Sequence, residues 1–226
     1  YDEIRENYFK TKAGSNLIPL EDARKNKLVL DWGSYTPPKP LKPGISVFSN
    51  FSLQELAEYI NWTEFFLAWE IRGKYPAIFD DPAKGAEARK LFDDAQLLLN
   101  ELIESKLIGA AGACGVFPAN SAGDDIEVYD NDGKTVIAKL HTLRQQAKPL
   151  NSEVKNKAMA DFVAPKESGK IDYIGAFAVT AGIGVEELGR KYESEHDDYK
   201  AIMLKIIADR LAEAFAERIH EIARRD

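Results

Sequence analysis

Between residues 114 and 140 the sequence takes on strand punctuation. Residues 114–117 form a short apolar run that reaches Pro118 and then a turn rich in Gly and Asp. Residues 126–129 alternate apolar and acidic, and residues 135–140 follow Asn131-Asp132-Gly133. The Asp-Gly pair before Lys134 marks a hairpin, because its turn needs a positive φ that these residues tolerate. At least part of any sheet is therefore antiparallel.

Helical periodicity lies on both sides. In residues 84–105, Ala88, Leu91, Phe92, Ala95, Leu98, Leu99, Leu102 and Ile103 recur at the spacing of a buried face. Residues 196–224 form the longest helix, with an apolar arc through Met203, Ile207, Leu211, Phe215 and Ile219. Shorter helices are expected at 20–26, from Ser52 to about Ile60, at 63–69 and at 185–193. Ser52 and Glu55 have capping-box spacing, with Phe51 as the staple residue. Strands are expected at 45–48, 114–117, 126–129, 135–140, 160–163 and 171–179, the last apolar enough to be central. Pro37, Pro38 and Pro40 exclude a central strand there, so residues 28–40 read as an arm across the surface, pinned by Trp32 and Tyr35. Residues 1–12, with Ile4, Tyr8 and Phe9 on one side, read as the tail of a helix. The class is α+β.

Composition closes several routes. The net charge of −7 and the lack of a long basic run argue against nucleic acid. No run of 18 apolar residues exists to span a membrane, and the N-terminus lacks a signal-peptide core. The lone Cys114 reads as a reduced, buried thiol of a cytoplasmic protein. Opening on Tyr1 and stopping on Arg224-Arg225-Asp226, the chain reads as a piece cut from a larger polypeptide.

Chemistry-bearing residues are few. Asp209 and Glu213 are like charges at i,i+4, worth about 0.2–0.5 kcal/mol of repulsion if unmatched. Two readings stay open: a solvated helix face helped by Arg210 and Arg218, or a carboxylate edge for a cationic ligand or a basic partner. His141, His196 and His220 have no metal spacing, and nothing local activates Cys114, even if His141 approaches it. Gly182 and Gly184 read as a strand-to-helix turn or as room for a ligand. Arg144, with Gln145 and Gln146, is either part of a site at a strand end or a cap. The aromatics Trp62, Phe65, Phe66, Trp69 and Tyr75 read as core, or in part as the floor of a pocket.

The motifs carry the reading further. Residues 31–38 (DWGSYTPP), 60–66 (INWTEFF), 73–76 (GKYP), 115–120 (GVFPAN), 123–126 (GDDI), 143–146 (LRQQ), 160–165 (ADFVAP), 172–180 (DYIGAFAVT), 196–199 (HDDY) and 208–215 (ADRLAEAF) make a chain that resembles the C-terminal reactivation domain of cobalamin-dependent methionine synthase. The resemblance covers nearly all of residues 17–224. It implies a C-shaped domain with a twisted, mainly antiparallel sheet and flanking helices, spanning 17–226 and incomplete at its C-terminus, with 1–16 as a linker or helix tail. It implies binding of S-adenosylmethionine on the inner surface, as methyl donor when oxidised cob(II)alamin is reduced and remethylated. The parent enzyme makes methionine from homocysteine and 5-methyltetrahydrofolate, with cobalamin and zinc in its other domains. The implied partners are the cobalamin-binding domain and a flavodoxin or flavoprotein reductase.

At the family's ligand-contacting Asp this chain has Asn61, which is neutral and still accepts a hydrogen bond from the ligand's amino group. Glu213 stands at a second ligand-side carboxylate. Asp209, one turn earlier, faces the same groove or the cobalamin domain. The family's Arg-Pro-Ala-x-Gly-Tyr-Pro motif does not occur in these 226 residues. The expectation is that this piece binds S-adenosylmethionine weakly, is inactive alone, and exposes an apolar face or sheet edge. A docking module without the ligand, or an unrelated small-ligand enzyme, is the alternative.

Overall fold

The structure is a computed structural model that describes residues 2–5 and 16–225. It forms two compact units: the described residues of Tyr1–Gly44 with Val116–Gly175, and of Ile45–Gly115 with Ala176–Asp226. Along the chain run α1 (Leu20–Lys25), β1 (Gly44–Phe51), α2 (Leu53–Ala57), α3 (Trp62–Ala68), α4 (Gly85–Glu104), β2 (Gly109–Ala122), β3 (Asp125–Tyr129), β4 (Val136–His141), β5 (Asp172–Ile183), α5 (Val185–Ser194) and α6 (Asp198–Arg225). The strand order is β1-β2-β3-β4, with β5 paired to β2. The α+β expectation holds.

The unit of residues 45–115 and 176–225 is built on helical periodicity. α6 packs against α2, α3, α4 and α5. Its row Met203, Ile207, Leu211, Phe215 and Ile219 is sealed in one apolar cluster with Phe65, Phe66, Leu99 and Leu102. Ser52 caps α2, its hydroxyl accepting from the Glu55 N–H at 3.2 Å. The Glu55 carboxylate bonds Arg218 instead of closing a capping box. Phe51 packs on Phe215 with ring centroids 4.5 Å apart and the planes tilted by 34°. The aromatic group divides: Phe65 and Phe66 are buried core with Trp62 and Trp69 packed against it, and Trp62 meets Phe92 edge-on at 4.7 Å, whereas Tyr75, stacked on Phe92 at 5.5 Å, is exposed. Gly184 has φ +88°, and a Cβ there would lie 2.9 Å from the Leu107 carbonyl oxygen. The strand-to-helix turn therefore needs glycine at 184, which also borders a cavity of about 740 Å³, so both readings of Gly184 stand.

The unit of residues 16–44 and 116–175 is built on the hairpins. β2 and β3 pair antiparallel with Ala119 opposite Val128 and Ser121 opposite Ile126. β3 and β4 pair with Ile126 opposite Leu140. The expected Asp-Gly turn closes β3–β4: the Gly133 N–H donates to the Asp130 carbonyl at 2.8 Å, with Gly133 at φ +67°. Asp132 accepts from the Thr135 hydroxyl and from the N–H groups of Thr135 and Lys134, which pull its carboxyl down to about 2.

Three expectations need correction. Residues 160–163 are no strand; Met159–Phe162 is a 3-10 turn, curled because the Asp161 carboxylate accepts from the Ala158 N–H at 3.0 Å. β5 is not central, since it pairs with β2 alone and Gly175–Ala178 are exposed. β2 runs to fourteen residues, because the small residues of 109–115 extend it without any apolar alternation to announce it. The arm before β1 has no strand; its Trp32–Tyr35 turn is held by Lys170, whose ammonium donates to the carbonyls of Trp32, Gly33 and Tyr35. Residues 2–5 are helical, while Tyr8 and Phe9 of the expected helix tail lie outside the described residues.

Candidate functional site

Asn61, Asp209 and Glu213 all belong to the helical unit. Asn61 is the N-cap of α3: its side-chain oxygen accepts from the Thr63 N–H at 3.1 Å. That bond fixes which way the amide points, with the NH2 group turned outward and one lone pair of the oxygen still free. The helix it caps packs against α6.

Asp209 and Glu213 stand one turn apart on the exposed side of α6, and Arg210 binds both. Its guanidinium meets Asp209 at 2.5 Å and Glu213 at 2.8 Å. The Arg210 side chain is only 11% exposed, whereas the two carboxylates are 67% and 58% exposed. The arginine therefore lies down on the helix and props both acids toward solvent. One positive charge between two negative ones leaves a net charge of −1, so the edge still attracts a cation. The Arg210 Nε–H is buried with no acceptor among the described residues. Arg218, expected to help here, binds Glu55 and Glu221 instead. The structure thus brings Asp209 and Glu213 together through Arg210. Asn61 is committed to its own helix and shares no hydrogen bond with them.

The other candidates resolve plainly. Arg144 is a structural clamp. Its fully buried guanidinium binds Asp124 at 2.6 Å and Asp161 at 2.7 Å, and donates to the Asn156 carbonyl at 2.7 Å. Burial pushes the Asp124 and Asp161 carboxyls up; the hydrogen bonds from Arg144, with Arg24 on Asp124, outweigh it and hold both below the usual carboxylate range. The Arg144 guanidinium is raised in turn, chiefly by Asp161. His141 pairs with Asp125 at 3.0 Å, and His220 meets the Phe177 ring edge at 4.9 Å. Cys114 packs against the apolar cluster. No group of described residues is arranged to hold a metal ion. Arg210 is expected from the sequence as a general helper at this face; what the sequence does not show is that it alone lies between the two acids, with Arg218 drawn away to Glu55 and Glu221.

Two comparisons bear on this arrangement. The family model described as vitamin B12 dependent methionine synthase, activation domain, matches residues 52–226. The chain is also similar to the crystal structure of the MetH reactivation domain bound to AdoHcy, with a TM-score of 0.88 and 47% sequence identity, over 92% of this chain. It spans 63% of the length of that relative.

Proposed function

The chain belongs to the activation-domain family of vitamin B12-dependent methionine synthase, and on that premise we propose that it binds S-adenosylmethionine and positions its methyl group for reactivation of the cobalamin enzyme. The observation that carries this is the likeness to a reactivation domain bound to AdoHcy, the demethylated form of that donor.

The chemistry of α6 suits the donor. S-adenosylmethionine carries a sulfonium and an ammonium, and the net charge of −1 around Asp209, Arg210 and Glu213 attracts both. Asn61 contributes its free lone pair to the ligand's amino group. The cobalamin of the neighbouring module supplies the metal centre that takes the methyl. The residues of this chain bind and orient the donor, and orientation is where such a module gains rate. Within the enzyme, a methyltransferase that makes methionine, we assign residues 17–226 to the reactivation domain and 1–16 to the linker. We further propose the cobalamin-binding domain and a flavodoxin or flavoprotein reductase as partners, in the cytoplasm. No helix among the described residues is long and apolar enough to cross a membrane.

Titration of S-adenosylmethionine and AdoHcy into the chain tests this reading. If Glu213 meets the cationic end, Glu213→Gln weakens the sulfonium compound by about tenfold and the thioether by less. Equal losses for the two, or none, would remove Glu213 from the site.

A further inference from the structure

Two arginines of α6 bind carboxylates, and they do so differently. Arg218 reaches Glu55 of α2 as well as Glu221 of its own helix, so it ties two elements together. Arg210 meets only Asp209 and Glu213 among the described residues, and both belong to α6. Its hydrogen bonds therefore join no element to another. Neighbouring residues of a helix point about 100° apart, so Arg210 folds back over its own helix to reach Asp209 at 2.5 Å. The same guanidinium is bidentate on Glu213, at 2.8 and 3.1 Å, and engages both oxygens of that carboxylate. On Asp209 it engages Oδ2 and leaves Oδ1 without a hydrogen bond from a described residue.

The fork is also sheltered. The Arg210 side chain is 11% exposed, against 24% for Arg218, and its Nε–H is closed to solvent. A planar fork held in this way fixes the rotamers of the acids it grips, which a point charge on a flexible stem does not. Without it, two like charges one turn apart repel each other and splay.

We propose that Arg210 is a positioning residue of the donor site: it holds Asp209 and Glu213 in one arrangement that tells a methyl sulfonium from the neutral thioether left after transfer. The inference rests on the reading that S-adenosylmethionine binds at α6. Charge and position pull in opposite directions here. Removing the arginine's positive charge moves the edge from −1 to −2. If charge alone governed, the cation would then bind more tightly. With position governing, it binds more weakly, because the freed side chains must be ordered again at binding.

The test compares Arg210→Met, which keeps an unbranched stem without the charge, with Arg210→Lys, which keeps the charge without the fork. Calorimetric titration at one ionic strength reads the affinities for S-adenosylmethionine and AdoHcy. Arg210→Met is expected to lose about fivefold toward S-adenosylmethionine and less than about twofold toward AdoHcy. Arg210→Lys recovers only part of that loss and stays at least about twofold weaker toward S-adenosylmethionine, so it carries the test even where the methionine variant unfolds. In the free chain, NMR couplings of the Glu213 Hβ protons report one χ1 rotamer with Arg210 in place and averaged values in either variant. Tighter or unchanged S-adenosylmethionine binding by Arg210→Met, equal losses for the two ligands, full recovery by lysine, or unaltered couplings would each overturn the proposal. No affinity in the unsubstituted chain would overturn it together with the reading it rests on. Affinity there, with unchanged discrimination in both variants, would overturn it alone.

Discussion

In the helical unit, Phe65, Phe66, Leu211 and Phe215 are sealed in one large apolar cluster. Among the described residues of the hairpin unit the corresponding cluster is Ala119, Ile126, Ala160 and Val163, with Ile174 packed against it. All four buried polar residues among the described ones, Asn120, Ser121, Arg144 and Asn156, belong to the hairpin unit. They bind backbone from inside. Asn156 donates to the carbonyls of Gln145 and Ala147, Asn120 to those of Ala164 and Lys170, and Ser121 to that of Val163. One unit is held by removing apolar surface from water, which tolerates small errors of shape. The other is held by directional bonds, each of which costs far more when half broken than it contributes when whole.

Arg144→Ala should show the difference most strongly. It strands Asp124 and Asp161 and is expected to cost about 3–5 kcal/mol, with hydrogen-exchange protection lost in β3 and retained in the middle of α4. Equal loss in both places would mean that the units do not differ in this way. Leu211→Ala should do the converse, costing about 2–5 kcal/mol by denaturant unfolding, with α4 and α6 exchanging first.

Acid should separate the units more gently. Asp124 and Asp161 are held below their ordinary value of 3.8 in the folded state. The stability they contribute is therefore complete above the unfolded value and is lost as pH falls through the lowered folded one. Exchange in β3 should accelerate below about pH 4, ahead of the middle of α4. Simultaneous loss would contradict the assignment. The smallest effect is at Asn61. Asn61→Ala removes a cap and should cost about 1 kcal/mol, whereas Asn61→Asp keeps the cap and should stay within about 0.5 kcal/mol. If Asn61 borders the ligand, the added carboxylate tightens S-adenosylmethionine a few-fold; a variant that changes neither stability nor affinity leaves Asn61 outside the site.

The same contrast explains what could be read from the sequence. The rows of α4 and α6 announce themselves because burial on a helix has a period. The Asp-Gly turn and the Ser52 cap are legible because their chemistry is local. The clamp of Arg144 is not, since its partners lie about 20 residues away on each side and bind through geometry that leaves no pattern. The bond between Asn26 and Asn156 spans 130 positions. At α6 the acidic pair and Arg210 are both visible in the sequence, while the division of labour is not: Arg210 holds both acids and Arg218 turns to Glu55 and Glu221.

The most direct measurement is a map of backbone amide shifts during titration with S-adenosylmethionine. Perturbations are expected to centre on residues 61–64 and 209–217 and to weaken in Glu213→Gln. Shifts confined to other parts of the chain, or none at about 10 mM ligand, would contradict binding at α6.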